Sequence, residues 1–185
     1  MKIILASASP RRRQILKEAG LVFEVHVSAF DEKLDDDTFS QQKIEKFALN
    51  KATDVAKNFP HDVVISADTV VVLDDKIFMK PKNRQDAFLM LKKLSGRTHF
   101  VLTSVCMLFE NKKLIDSVKT YVTFKPLNDS LINCYIDNFN PLDKAGAYGI
   151  QELPDGFIER VDGDLENVIG ISSAKVKEML QNIKP

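Results

Sequence analysis

The feature that most constrains the fold of this chain is a long apolar run at residues 62–73, which reads DVVISADTVVVL. Both halves of the run are rich in β-branched residues, as is typical of a strand in the centre of a sheet. Asp68 interrupts it, and an ionised carboxylate in a sheet core is costly unless it is paired or bound to a metal. We therefore interpret Asp68 as a functional carboxylate; the alternative is a turn or bulge that exposes it.

Hydrophobic spacing and turn residues place the other elements around this run. Helices are predicted at residues 10–19, 40–57, 83–94 and 129–139 and from about residue 172 onward. Strands are predicted at residues 3–6, 23–27, 76–79, 101–109, 114–124, 157–161 and 168–171.

The start of the first helix has an unusual charge pattern. Ser9 is a good N-cap, Pro10 suits the first helical position, and Gly20 is placed to end the helix. Three arginines at 11–13 nevertheless crowd the first turn, where the helix dipole makes each cation unfavourable by about 0.3–1 kcal/mol. Backbone N–H groups, serine hydroxyls and arginines together suit a phosphate. The alternative is a solvated, arginine-rich surface helix.

Three further residues are candidates for a site. Lys51 falls on the apolar face of the helix at 40–57, so it either snorkels to solvent or points into a cleft and meets an anion. Lys80 lies where a strand ends, which is a common position for a ligand-facing side chain. Glu32 lies in an acidic loop and is a candidate ligand for a metal or a water molecule; the alternative is that the loop is only solvated, as such loops usually are.

Composition narrows the class of protein. The 185 residues include 26 basic and 26 acidic side chains, and this balance favours neither nucleic acid nor a membrane surface as a partner. No apolar stretch is long enough to span a membrane, and the N-terminus lacks a signal-peptide pattern. Cys106 and Cys134 are too few for a disulfide framework or a zinc site, and we interpret them as reduced, buried thiols of a cytoplasmic protein.

Several blocks of sequence, in order along the chain, carry a resemblance to a known family. They read SASPRR at residues 7–12, ADTVV at 67–71, KP at 80–81, LSGRTH at 94–99 and DKAGAYGIQ at 143–151. With these blocks the chain resembles the Maf family of nucleoside triphosphate pyrophosphatases, which are also described as septum-formation proteins.

The resemblance implies an α/β fold over residues 1–185 as a single domain. A mixed twisted sheet with flanking helices would form two lobes around a nucleotide cleft, as in Maf and ITPase-like proteins. It also implies hydrolysis between the α- and β-phosphates of a nucleoside triphosphate, to the monophosphate and pyrophosphate. We expect Mg²⁺ or Mn²⁺ as the cofactor and a homodimer as the assembly.

The resemblance also assigns site residues by position. The residues that match the family's phosphate-binding turn and its cleft are Ser7, Arg11, Arg12, Glu32, Lys51, Asp68, Lys80 and Gln151. We expect Asp68 and Glu32 to bind the metal and to act in catalysis with Lys51 and Lys80. Which carboxylate is the base stays open. Thr69 and Gln151 would contact the nucleotide.

Two features of the sequence indicate which nucleoside triphosphate is the substrate. Thr69 and the DKAGAYGIQ loop are typical of the branches that act on dTTP and UTP, whereas the branch for 7-methyl-GTP typically has a glutamine in place of Thr69 and a tryptophan in the arginine turn. This chain has no tryptophan. We therefore predict hydrolysis of dTTP and UTP, with modified pyrimidine triphosphates as further substrates. The alternatives are another base, such as 7-methyl-GTP, or a nucleotide-binding regulator of cell division with little turnover.

Two positions depart from the family pattern. Asn140 stands where a glutamate is usual before the proline of the loop, and Ser172 stands where the last strand usually ends in proline. Serine is also a sound helix cap. The change at Asn140 could weaken a contact near the cleft or at a subunit interface.

Overall fold

The computed structural model describes residues 1–30 and 36–183, and within these residues it contains seven strands and six α-helices. The strands are β1 (Ile3–Leu5), β2 (Glu24–Val25), β3 (Val63–Leu73), β4 (Lys76–Phe78), β5 (Thr98–Phe109), β6 (Lys112–Phe124) and β7 (Ile158–Asp162). The helices are α1 (Pro10–Glu18), α2 (Gln41–Ala56), α3 (Arg84–Leu94), α4 (Asp129–Asn138), α5 (Leu165–Ile169) and α6 (Ser173–Ile183). Short 3₁₀ turns lie at Pro141–Asp143, Ala145–Ala147 and Ile150–Glu152.

The strands form one mixed sheet in the order β2-β1-β3-β5-β6-β7, with β4 paired to β3. β1 runs parallel to both β2 and β3, and the remaining pairs are antiparallel. The predicted central strand is confirmed, because β3 runs through eleven residues without a break and all of them except Thr69 are buried. The alternative in which a turn or bulge exposes Asp68 is therefore wrong.

One edge of β3 pairs with two different strands, β1 and β4, each along part of its length. β1 pairs with Val63 to Ile65, and β4 pairs with Val71 to Leu73 on the far half of the strand. β5 covers the other edge continuously from Val64 to Val72. The stretch around Asp68 therefore lies in a gap between β1 and β4. A crevice beside a strand whose neighbours diverge is a common place for a ligand in α/β proteins.

Helices cover both faces of the sheet. Successive β3 side chains point to opposite faces, and apolar residues of β3 pack against helices on each face. Val64 contacts the face that α2 covers, where Ala48 and Ala52 are fully buried. Val63 and Ile65 point to the other face and pack with α1 and α6. Beyond the gap, α3 and α4 pack on that same second face with the ends of β3, β5 and β6.

Local capping explains several of the helix boundaries. Ser9, the predicted N-cap, accepts a hydrogen bond from a first-turn backbone N–H of α1, and Asn83 and Asn128 do the same for α3 and α4. Ser172 Oγ accepts from the Lys175 backbone N–H at 3.2 Å, so serine serves as the cap of the last helix. No helix among residues 1–30 and 36–183 is both long and apolar enough to cross a membrane.

Three local predictions need correction. The strand predicted at 168–171 is wrong: residues 165–169 form α5, because Asp164 caps the backbone N–H groups of Glu166 and Asn167. The strand predicted at 23–27 is only the two residues of β2. Cys106 is buried as predicted and burial raises its thiol pKa to about 12, but Cys134 is exposed on the solvent side of α4.

Candidate active site

A cleft of about 400 Å³ opens at the gap beside β3. It is bounded by the start of α1, the middle of β3 and the segment that contains the three 3₁₀ turns. The structure brings together on its walls eight of the nine predicted site residues, namely Ser7, Arg11, Arg12, Lys51, Asp68, Thr69, Lys80 and Gln151. Glu32, the ninth, lies outside the described residues.

The turn before α1 is held by two serine hydroxyls. Ser9 Oγ accepts from the Arg12 backbone N–H at 3.4 Å, which is the N-cap bond. Ser7 Oγ accepts from the Ser9 backbone N–H at 3.2 Å and from Arg12 Nη1 at 3.3 Å. The side chain of Ser7 is therefore part of the support for Arg12 as well as part of the cleft wall.

Arg12 is fixed by contacts that come from distant parts of the chain. Its Nε donates to the Gly170 carbonyl oxygen at 2.9 Å, and its Nη1 donates to the Ala67 carbonyl oxygen at 2.7 Å. Its Nη2 donates to Thr69 Oγ1 at 2.9 Å. The Ala67 carbonyl belongs to the part of β3 that lies between β1 and β4. Arg12, which is predicted to bind phosphate, thus also joins α1 to the unpaired stretch at the edge of β3.

Thr69 lies on the same side of the strand as this guanidinium. Besides the bond from Arg12, its hydroxyl donates to the Gly170 carbonyl oxygen at 3.1 Å and lies 2.9 Å from Thr103 Oγ1. Thr69 therefore orients Arg12 from within the cleft. Contact of Thr69 with a nucleotide stays a prediction.

Lys51 and Asp68 form a nearly buried ion pair on the opposite face of β3. Lys51 Nζ donates to Asp68 Oδ1 at 2.5 Å, and the side chains are 12% and 6% exposed. Ser66, two residues earlier on the same face, donates to the Ala48 carbonyl oxygen of α2 at 2.5 Å and so fixes the helix on the strand. Of the two interpretations of Lys51, the one in which it snorkels to solvent is wrong, because its ammonium meets a carboxylate inside the cleft.

Two charged residues in the cleft wall were missed as site residues from the sequence. Asp143 Oδ2 accepts from Arg11 Nη1 at 3.0 Å, and Asp143 Oδ1 accepts from Lys144 Nζ at 2.8 Å. Burial would raise the pKa of Asp143, but the hydrogen bonds from Lys144 and Arg11 outweigh it and hold that pKa below its ordinary value. The signal available in the sequence was an adjacent pair of opposite charges inside a loop of otherwise small and apolar residues.

The two glycines of this loop make close approaches to the protein's own side chains. A Cβ at Gly146, whose φ is +67°, would lie 2.9 Å from Val71 Cγ2. A Cβ at Gly149 would lie 2.8 Å from Lys144 Cε. These glycines therefore let the loop pack closely on β3 and on Lys144.

Lys80 and Gln151 lie at the exposed rim of the cleft. Lys80 follows β4, and the carbonyl oxygen of the preceding Met79 accepts from the Gly146 backbone N–H at 3.1 Å. This bond ties the end of β4 to the loop that carries Gln151. Both side chains are therefore placed to reach a molecule that enters the cleft.

The oxygen and nitrogen donors of the described residues limit how a divalent metal could bind in the cleft. Among residues 1–30 and 36–183, no group of three or more His, Cys, Asp or Glu side chains could hold a metal ion by itself. Asp68 does present a carboxylate to the cleft. Mg²⁺ typically binds through one or two carboxylates and the substrate's phosphates, and it keeps several waters. The described residues therefore fit a metal that arrives with a phosphate substrate.

Fold and cleft together define an α/β protein with a cationic crevice beside a nearly buried carboxylate. The family model for Maf-like protein matches residues 2–183, and the chain belongs to this family. The family and fold predictions are confirmed. Among solved structures, the Staphylococcus aureus Ham1 protein covers 100% of both chains with a TM-score of 0.56 at 15% identity, and this likeness concerns the fold alone.

Two relatives show how far the similarity extends. The dTTP/UTP pyrophosphatase of Clostridium botulinum (strain Alaska E43 / Type E3) is 45% identical over 185 residues, with 98% of both chains covered. The dTTP/UTP pyrophosphatase of Thermosipho africanus (strain TCF52B) is 46% identical over 180 residues, with 97% of this chain and 92% of the relative covered.

Proposed function

We propose that this protein hydrolyses dTTP and UTP to the nucleoside monophosphate and pyrophosphate. The observation that carries the proposal is the cleft, which places the carboxylate of Asp68 among four cationic side chains, those of Arg11, Arg12, Lys51 and Lys80. The names of relatives that match over nearly the whole chain supply the nucleotide class.

The cationic side chains would bind the triphosphate tail. A triphosphate carries several negative charges, and these must be neutralised before a nucleophile can approach the phosphorus atom. Arg11, in α1, and Lys80, just after β4, both line the cleft, so together they would hold the β- and γ-phosphates. Arg12 is already fixed by backbone carbonyls, so it would present its charge with little reorganisation.

Asp68 would take the proton from the water that attacks the α-phosphorus, after which pyrophosphate leaves. Lys51 Nζ donates to this carboxylate at 2.5 Å and holds it in place. In the second assignment Glu32 is the base and Asp68 only a ligand. In both assignments, a divalent metal held by Asp68 and Glu32 would neutralise phosphate charge and polarise phosphoryl oxygens when it is bound.

Base selection would rest on the rim of the cleft. Gln151 is exposed at the edge of the cleft, and an amide can both donate to and accept from the edge of a pyrimidine. Thr69 would act mainly by orienting Arg12. We propose that modified pyrimidine triphosphates enter the same site.

The test is pyrophosphate release from dTTP, UTP, CTP, GTP and 7-methyl-GTP, each with Mg²⁺, with Mn²⁺ and with EDTA. Metal-dependent release that favours dTTP and UTP is the expected result. Preference for 7-methyl-GTP would overturn the assignment of the base. Tight nucleotide binding without release from any substrate would favour the regulator alternative, and Asn140→Glu would then test whether the departure from the family pattern is the cause.

Three further properties stay predictions. They are a homodimeric assembly, a cytoplasmic location and a single domain over residues 1–185. Sedimentation of the purified protein, with and without dTTP, tests the first of them.

A further inference from the structure

The two arginines of the cleft are held in different ways. Arg12 donates to two backbone carbonyl oxygens and two hydroxyls. Arg11 makes one side-chain hydrogen bond to the described residues, from Nη1 to Asp143 Oδ2 at 3.0 Å. A guanidinium carries five N–H donors, so this single contact orients Arg11 and leaves donors for a phosphate. The position of Arg11 therefore depends on the position of Asp143.

Asp143 in turn is held by a buried lysine. Lys144 is only 5% exposed, and its Nζ donates to Asp143 Oδ1 at 2.8 Å and to the Asn140 carbonyl oxygen at 2.5 Å. Glu152 Oε2 lies 3.0 Å from the same ammonium, as an ion-pair contact without hydrogen-bond geometry. The ammonium thus contacts oxygen atoms from three points of the loop.

The stem of Lys144 is also built into the loop. Its Cε lies only 2.8 Å from the position that a Cβ of Gly149 would take, so the stem fits here because residue 149 has no side chain. A side chain confined in this way loses little further freedom when its partners bind. Glu152, which the Lys144 ammonium also contacts, follows Gln151 directly in the sequence, and Gln151 lies at the rim of the cleft. The Lys144 ammonium therefore contacts Asp143, which supports Arg11, and also Glu152, the neighbour of Gln151.

We propose that Lys144 is a positioning residue that orients Arg11 through Asp143, and that it sets the phosphate-binding arginine and the Gln151 rim in a fixed relation. The proposal rests on the proposed function only for the identity of the ligand as a polyphosphate. Charges balance along the chain of contacts from Arg11 through Asp143 and Lys144 to Glu152. Arg11 therefore meets an incoming phosphate in a fixed orientation, and Asp143 supplies the one carboxylate that contacts it among the described residues.

The first experiment compares two charge-removing variants of the same kind. Asp143→Asn weakens the support of Arg11, whereas Asp137→Asn weakens the exposed pair in which Arg84 Nη2 lies 2.8 Å from Asp137 Oδ1, away from the cleft. The probe is inorganic tripolyphosphate, measured by calorimetry, with kcat and KM for dTTP alongside. For Asp143→Asn we expect a roughly tenfold weaker affinity for tripolyphosphate and a rise in KM that exceeds the change in kcat, because an arginine that is no longer oriented loses a hydrogen bond to the phosphate, and a bond between charged groups contributes about tenfold or more to an equilibrium constant. Asp137→Asn should match the wild type.

The second experiment asks whether the effect passes through Arg11. Asp143→Asn and Lys144→Met are each combined with Arg11→Ala, and in that background neither should weaken tripolyphosphate binding further. Equal losses with and without Arg11 would show a merely structural role and overturn the proposal, as would an Asp143→Asn protein that binds like Asp137→Asn. If Lys144→Met does not fold, Asp143→Asn decides alone, since that side chain is half exposed.

The two proposals fail separately. A wild-type protein that binds tripolyphosphate but releases no pyrophosphate from dTTP contradicts the proposed function and leaves the binding experiments decisive for Lys144. A wild-type protein that binds no tripolyphosphate overturns the role of Lys144 as well.

Discussion

Lys51 of α2 places its Nζ 2.5 Å from Oδ1 of Asp68, which lies at the middle of the longest apolar run in the chain. The pair lies at the point where β1 and β4 leave the edge of β3. A carboxylate can remain in the centre of the sheet because an ammonium from the covering helix reaches it. The same pair leaves Asp68 on the wall of the cleft, so one contact serves both the fold and the proposed chemistry.

Asp68→Asn is expected to lower kcat for dTTP by about 100-fold or more, because general-base catalysis contributes at least this factor. Nucleotide binding should change far less, since the amide keeps the shape of the side chain. Steady-state pyrophosphate release gives kcat, and calorimetry with dTTP in the presence of Ca²⁺ gives affinity. Near-normal turnover in this variant would remove Asp68 from the chemistry and make Glu32 the base.

Lys51→Met is expected to lower the free energy of unfolding by about 3 kcal/mol, because it removes one partner of a nearly buried ion pair. Adding Asp68→Asn to Lys51→Met should recover part of this loss, since the carboxylate charge left behind is then gone. Urea unfolding of the wild type, both single variants and the double variant measures the coupling. Losses that simply add would mean that the two charges do not stabilise each other in the folded protein.

His99 makes stability depend on pH. The ring is 2% exposed, and burial lowers its pKa from 6.5 to about 4. Between these two values the unfolded chain binds a proton that the folded chain does not, so stability is fully present above about pH 6.5 and falls as the pH drops toward 4. The loss attributable to His99 is about 3 kcal/mol over that window. Urea unfolding at pH 7 and at pH 5 measures it.

His99→Gln serves to isolate this contribution. Glutamine can still bond to the Tyr148 hydroxyl, which lies 2.7 Å from His99 Nε2, but it does not titrate. The difference in stability between pH 7 and pH 5 should shrink in this variant by about 2 kcal/mol. His61→Gln, at an exposed position, is the matched control for replacing a histidine by glutamine outside the core. An undiminished pH dependence in His99→Gln would assign the titration to other groups.

Local patterns were sufficient for the parts of the fold that local physics decides. The apolar run of β3 and the cap at Ser9 were correctly predicted because each depends on residues within a few positions. The segment at 168–171 looked like a strand because Val168, Ile169 and Ile171 are apolar and β-branched. Residues 165–169 instead form a short helix that begins at the Asp164 cap. The Asn167 side chain fixes this helix on the sheet by donating to the Val101 carbonyl oxygen and to Thr120 Oγ1, contacts that no local pattern contains.

The site was predictable to the same degree. The excess charge at residues 11–13 and the interruption at Asp68 both break a local rule, and the structure places Arg11, Arg12 and Asp68 on the wall of one cleft. What the residues do to one another was not predictable from spacing. Arg12 finds acceptors at Ala67 and Gly170, far away in sequence, and Lys144 is buried only because the loop folds back on itself.

Gly146→Ala tests whether the packing of this loop on β3 holds the cleft together. Its φ of +67° strains any residue with a Cβ, and that Cβ would also lie 2.9 Å from Val71 Cγ2. Strain in the left-handed region costs about 1–2 kcal/mol, and overpacking adds about 1–3 kcal/mol. Gly20→Ala is the matched control, because its φ is +81° but no atom lies within 4 Å of the new Cβ.

We therefore expect Gly146→Ala to lower the free energy of unfolding by about 3 kcal/mol and Gly20→Ala by about 1 kcal/mol, as measured by urea unfolding. Only Gly146→Ala should also raise KM for dTTP, because the loop that it displaces carries Asp143 and Gln151 on the cleft wall. Val71→Ala removes the two methyl groups that the new Cβ would meet, so its cost should be smaller in the Gly146→Ala background than in the wild type. Equal effects of the two glycine substitutions would mean that the loop can move away from β3 at no cost, and that the gap beside Asp68 is kept open by other contacts.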